Sequence, residues 1–236
     1  IPYSVGSTPT ARTKQNLEDR MKTYPSIKFM GALNRGQGIP EGDDWFVFDK
    51  LDGSNIRAEW NPKRGWYKFG RRKALLDDSN PWLVESPDVL ACSPGPKMDK
   101  EFRKRGYKRV LCFFEFHGPQ SFSGHHQKEA PRMTLIDINV HPKGFLGPAD
   151  FVSLCNDAGL VEGIDWARLL YRGPIDQQLL DDVRASSLTG ITGEGVVCKT
   201  HDRKGNRRTF KIKTKKWLDL LRVYCGDDDV RFKKLM

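Results

Sequence analysis

Seven short runs of apolar, aromatic and β-branched residues limit what this chain can fold into: WFVFDK, NIRAEW, GWYKFG, RVLCFFEF, MTLIDINV, GVVCKT and RTFKIK, each carrying a charge inside it or at its end. Runs of this length and composition read as β-strands. The first three are separated by LDGS and NPKR, whose Gly, Asp, Asn and Pro form turns, so they read as an antiparallel meander. RVLCFFEF and MTLIDINV read as buried strands joined by the long connector GPQSFSGHHQKEAPR, and GVVCKT and RTFKIK as a hairpin around HDRKGN. Helices are expected over 148–158, with Pro at the start and Gly159 just past the end, over 175–186, and from 215 to about 224. The proline-bearing span 76–100 reads as a surface excursion with room for one short helix. Strands dominate and helices fall between them, so the fold class is α+β with mainly antiparallel sheets and flanking helices.

Residues 1–43 form a polar lead-in with one short helix expected near 15–22, and 44–236 form one structural unit. The 236 residues suffice for one substantial core. No run of eighteen apolar residues exists, and IPYSVGSTPTARTKQ lacks the order of a signal peptide, so a cytoplasmic protein with no membrane contact is expected. The five cysteines are scattered without metal-like spacing and are expected to be reduced. A net charge of +10 suits a polyanionic partner, although many basic surfaces are merely solvated. A monomer is the default expectation.

The chemistry starts from Lys50-Leu51-Asp52-Gly53, where one strand ends and the next begins. Alone, that string is an ordinary turn. It is followed in order by FFEFHG with Glu115, LIDI with Asp137, EGVVCK with Glu194 and Lys199, and FKIK with Lys211 and Lys213. Charges on buried strands cost several kcal/mol, on the order of a whole domain's stability margin, unless paired or employed. This ordered series resembles motifs I, III, IIIa, IV and V of the covalent nucleotidyltransferases, the superfamily of ATP-dependent ligases and mRNA capping enzymes. Asn55 closing KLDGSN, the F-E-F-H-G form and the KTKKWLD run look most like nick-sealing RNA ligases of phages.

The resemblance implies a nucleotidyltransferase domain that joins RNA ends in a phage or host cytoplasm. Lys50 would be the nucleophile that takes AMP from ATP, with Lys211 and Lys213 holding the α-phosphate and helping to depress the lysine's pKa. Asp52, Glu115 and Glu194 would serve Mg2+ or Mn2+. Asp49 would face the adenine amino group, Glu115 the ribose, Val197 and Ile136 the two faces of the base, and Asn55, Arg71 and Lys199 complete the nucleotide site. Of Arg71 and Arg72, adjacent on a strand, only one is expected to reach it. LIDI lacks the aromatic residue often found in motif IIIa. His117, His125 and His126 read as surface or phosphate contacts rather than zinc ligands. Only 23 residues follow Lys213, too few for a C-terminal OB fold (236 − 213 = 23). A minimal DNA ligase shares every residue above; a GTP-using capping enzyme and a non-catalytic nucleic-acid-binding domain are the other readings.

Overall fold

The computed structural model describes residues 21–30, 44–201, 205–226 and 228–236. Two five-stranded sheets carry the fold. The first has the order β1 (Lys28–Phe29), β10 (Arg207–Lys213), β9 (Gly195–His201), β2 (Trp45–Lys50) and β8 (Leu169–Gly173). The second runs β4 (Gly65–Arg71), β3 (Ser54–Asn61), β5 (Val110–His117), β6 (Arg132–Val140) and β7 (Gly144–Phe145). Among the described residues, every pairing between these strands is antiparallel except β1 with β10.

The run WFVFDK is apolar throughout because β2 is buried on both faces. Trp45 and Val47 enter a cluster with Ile175, Leu179, Leu180 and Val183 on one side, while Phe46 and Phe48 enter the larger core on the other. That core packs the second sheet against α1 (Pro81–Val84), α2 (Ser86–Cys92), α3 (Gly95–Lys104) and α4 (Pro148–Asp157). The smaller cluster lies under α5 (Gln177–Ala185). The chain then forms α6 (Lys215–Cys225), capped by Thr214 Oγ1 on the Trp217 amide at 3.1 Å, and α7 (Asp229–Leu235).

Two expectations need correcting. The first three strands are no meander: β2 pairs with β8 and β9, whereas β3 and β4 form a hairpin in the other sheet. The chain crosses between sheets within Leu51-Asp52-Gly53, which sets Lys50 at their junction. Nor is 76–100 a surface excursion, since Leu83, Leu90 and Met98 are core residues. Its prolines mislead because Pro81, Pro87 and Pro96 lie in the first turn of α1, α2 and α3, where a missing N–H has no consequence. The helix expected near 15–22 falls almost wholly outside the described residues, and Met21 and Met30 of the lead-in are buried.

Gly53 is required by the crossing. A Cβ there would stand 2.5 Å from the Phe116 carbonyl oxygen. Gly53→Ala is therefore expected to destabilise the protein by about 1–3 kcal/mol, the usual range for overpacking. Denaturant unfolding checks this, and a midpoint equal to wild type would show that the crossing yields freely. Among the described residues, no helix is long and apolar enough to cross a membrane. All five cysteines are free thiols, and four are buried.

Candidate active site

Strand register assembles the site. Lys50 pairs with Gly195 across β2 and β9, and Gly195 pairs with Lys213 across β9 and β10, so the two lysines share one row. In the row below, Phe48, Val197 and Lys211 lie side by side. Alternation points all of these toward the second sheet. There Asn55 on β3 is the register partner of Glu115 on β5. Between the sheets opens a cavity of about 700 Å³ lined by every residue expected for the nucleotide: Asp49, Lys50, Asp52, Asn55, Arg71, Glu115, Ile136, Glu194, Val197, Lys199, Lys211 and Lys213. That volume suits a nucleotide-sized ligand.

Glu194 is the hub of the basic cluster. Its carboxylate accepts from Lys50 Nζ at 2.9 Å and forms a close ion pair with Lys213 Nζ. Lys213 is nearly inaccessible, with its ammonium 3.5 Å from the centroid of the Trp217 ring. Burial, reinforced by the Lys50 charge, pulls the Lys213 amine down to about 7. The same causes lower Lys211. Lys50 differs from expectation. Burial pushes its amine down, but Glu194, Glu115 and Asp52 together outweigh it and hold Lys50 above its usual value. Without ligand the carboxylates, and not Lys211 and Lys213, decide the charge on Lys50.

Glu115 is pushed up to about 7, first by burial, then by the charges of Glu194 and Asp52, against the pull of Lys50. Asp52, Glu115 and Glu194 all act on this one amine and offer only oxygen donors, the kind a hard divalent cation takes, but they do not bring one oxygen each within 4.8 Å of one another. Asp52 is oriented from the connector by the Ser123 N–H at 2.6 Å. Asp49 is buried, and both its oxygens are engaged by Thr192, from the amide at 3.1 Å and the hydroxyl at 2.8 Å. Desolvation raises its pKa, opposed by those hydrogen bonds. Asn55 Nδ2 donates to the Phe114 carbonyl at 3.4 Å, and its buried Oδ1 has no partner among the described residues.

Lys199 lines the cavity, but its amine donates to the Ile136 carbonyl at 2.5 Å and to Asp137 at 3.2 Å, tying β9 to β6 across the cleft. Asp137 also accepts from Tyr24 at 2.9 Å and pairs closely with Arg207. Arg71 and Arg72 both line the cavity, correcting the expectation that only one could reach it; Arg71 pairs with Asp77 at 3.3 Å. At the end of β4 the backbone leaves strand geometry, so alternation no longer separates neighbours. Tyr24, Lys73, Thr192 and Trp217 join the site without having been read from the sequence. Tyr24 is distant in the chain, but Trp217 stands four residues after Lys213 in the KTKKWLD run and Thr192 two residues before Glu194, so both have a local signal.

The histidines also need correcting. His117 and His126 are buried, 2% and 4% exposed, and are not surface residues. Burial, followed by the neighbouring His126, draws His117 down to about 4.

No protein-family model and no curated protein sequence matches this chain. Among solved structures the fold is that of Naegleria gruberi RNA ligase. The structure of that enzyme with PPi superposes with a TM-score of 0.59 at 18% identity, covering 84% of this chain and 57% of that one. A mutant of it with AMP and Mn gives 0.59 at 17% identity over the same shares, and a mutant with ATP and Mn gives 0.55 at 16%, over 82% and 55%. This chain thus spans a little over half the length of those ligase chains. What the chain shares with those ligase chains is the fold.

Proposed function

We propose that this chain is the catalytic part of an ATP-dependent RNA ligase that works through a lysyl-AMP intermediate on Lys50. The observation that carries the reading is the single row of Lys50, Gly195 and Lys213 around Glu194, set in a nucleotide-sized cavity of a fold whose solved examples hold ATP, AMP and Mn. The net charge of +10 supports a nucleic-acid partner.

In this reading the Lys50 amine, once deprotonated, attacks the α-phosphorus of ATP. An N–P bond forms, the bond from the α-phosphorus to the bridging oxygen breaks, pyrophosphate leaves and the amine proton passes to solvent. AMP then moves to a 5′-phosphate end, and the 3′-OH of a second end displaces it. Lys211 and Lys213 stabilise the charge that develops on the α-phosphate. Asp52, Glu115 and Glu194 would hold the divalent cation, which supplies further charge neutralisation at the phosphates. Drawing Glu194 and Glu115 toward a cation would also weaken their hold on the Lys50 proton. Asp49, fixed by Thr192, faces the base; Ile136 and Val197 enclose it; Asn55 and Arg71 complete the nucleotide contacts.

Incubation with labelled ATP and Mg2+ tests this. Wild type is expected to acquire an acid-labile covalent label, and Lys50→Ala to lose it by more than about 10³-fold, as removal of a covalent nucleophile requires. Equal labelling of the two proteins would remove Lys50 from the role. Sealing of matched RNA and DNA nicks then separates an RNA ligase from a minimal DNA ligase; the RNA 3′-OH substrate is expected to react faster.

A further inference from the structure

Beside the cleft, β5 ends in His117, whose hydrogen bonding dictates its tautomer. Its Nε2 lies 2.8 Å from Thr134 Oγ1, and that hydroxyl donates its one hydrogen to the Ile164 carbonyl at 2.8 Å. Thr134 can therefore only accept from His117, so Nε2 carries the proton and Nδ1 presents a bare lone pair. That Nδ1 is buried and has no partner among the described residues. An unanswered acceptor in a buried site calls for a ligand.

The connector between β5 and β6 brings the complement. The turn closed by the Glu129 amide on the His126 carbonyl at 3.0 Å sets both side chains on one side. The His126 ring lies 4.4 Å from that of His117, and its Nδ1 is 3.1 Å from Glu129 Oε1. One ligand atom from each of His117, His126 and Glu129 lies within 4.8 Å of the other two. Tetrahedral coordination at about 2.1 Å asks for roughly 3.4 Å between ligand atoms, a contraction within reach of a surface turn. Arg132 shares Glu129 at 3.5 Å and would be displaced from it, while the nearby Asp52 adds negative charge.

We infer that His117, His126 and Glu129 form a binding site for a divalent transition-metal ion of the zinc type, separate from the cation site of the nucleotide cleft. Two imidazoles and one carboxylate select such an ion over Mg2+, which prefers an all-oxygen shell. Thr134 is the orienting group behind the ligand, fixing tautomer and ring plane. The ion fastens the connector to β5, and through it the Ser123 N–H that holds Asp52. The inference does not depend on the reaction proposed for the cleft.

Titration of the chelator-treated full chain with Co2+ tests it. Wild type is expected to develop a visible absorption of low-symmetry Co2+ that saturates at one equivalent, is displaced by Zn2+ and is unaffected by millimolar-range Mg2+. Glu129→Gln, whose side chain is about one-third exposed and so poses little threat to folding, is expected to weaken Co2+ binding at least about tenfold. Thr134→Val, which removes the orienting hydroxyl, is expected to weaken it about 10–100-fold. Glu194→Gln is expected to leave the spectrum intact. No absorption in wild type, unchanged affinity in Glu129→Gln, or loss of the signal in Glu194→Gln would each overturn the site. Thermal unfolding in Zn2+ gives a second reading: a stabilisation seen in wild type and absent in Glu129→Gln supports it, and equal stabilisation of both refutes it.

Discussion

Asp137→Ala is expected to lower the unfolding free energy by about 3–5 kcal/mol, the loss typical when one partner of a buried ion pair is deleted. Asp137 is 3% exposed at its side chain and accepts from Tyr24, Lys199 and Arg207, which come from the lead-in, β9 and β10. Its other oxygen accepts from the Ile138 amide at 3.1 Å. Among the described residues, removing the carboxylate leaves the Lys199 ammonium, 8% exposed, with the Ile136 carbonyl as its one hydrogen-bond acceptor beside the Phe48 and Phe151 rings, and leaves Arg207 without an anion. Burial already lowers the Lys199 amine, and Asp137 is the main force opposing that fall, so the variant drives Lys199 toward its neutral form. At roughly 2–4 °C per kcal/mol for a chain of this size, the midpoint of thermal unfolding should drop by roughly 6–20 °C. Tyr24→Phe removes one hydroxyl bonded to charged groups and should cost less, about 1.5–3 kcal/mol. A melting midpoint for Asp137→Ala within a degree or two of wild type would mean that this hub does not join the sheets.

The contrast between Asp137 and Lys50 shows what a single chain discloses. Lys50, Glu115, Glu194, Lys211 and Lys213 are legible because each interrupts or borders a strand-like run, and a charge there needs a reason that sequence can register. Their convergence follows from register, which alternation within each strand partly encodes. What could not be read is pairing over distance. The LDGS turn after β2 looks like a hairpin, and only the burial of β2 on both faces reveals that it belongs with β8 and β9. The helices over 81–104 were hidden because prolines serve as helix starters there while resembling breakers. Tyr24, in a polar lead-in, carries no local sign of its hydrogen bond to a residue 113 positions away. The His117 lone pair is likewise visible only once Thr134 and Ile164 are in place. The place of Lys50 at a strand end is legible in the sequence but the direction of its pKa is not, since that depends on three carboxylates whose nearness is tertiary.

On the proposed reaction, Lys213→Ala should slow covalent labelling of Lys50 by about 10²–10³-fold, the effect of deleting one preorganised group that faces developing charge. Lys213 is suited to that task because its nearly inaccessible ammonium is held before ATP arrives, between Glu194 and the face of Trp217. Little reorganisation remains to be done when charge builds on the α-phosphate, and the low local dielectric strengthens the contact. Lys211, one row away and only half-buried, should matter less. Arginine is not expected to rescue position 213, because a planar fork needs more room than the space beside Trp217 and a single carboxylate offers. The rate of the chemical step should fall more than ATP affinity, as expected of an interaction gained chiefly in the transition state. Single-turnover labelling over a range of ATP concentrations separates the two. Labelling of Lys213→Ala within about threefold of wild type, in a protein where Lys50→Ala is inactive, would leave Lys213 a structural partner of Glu194 and no more.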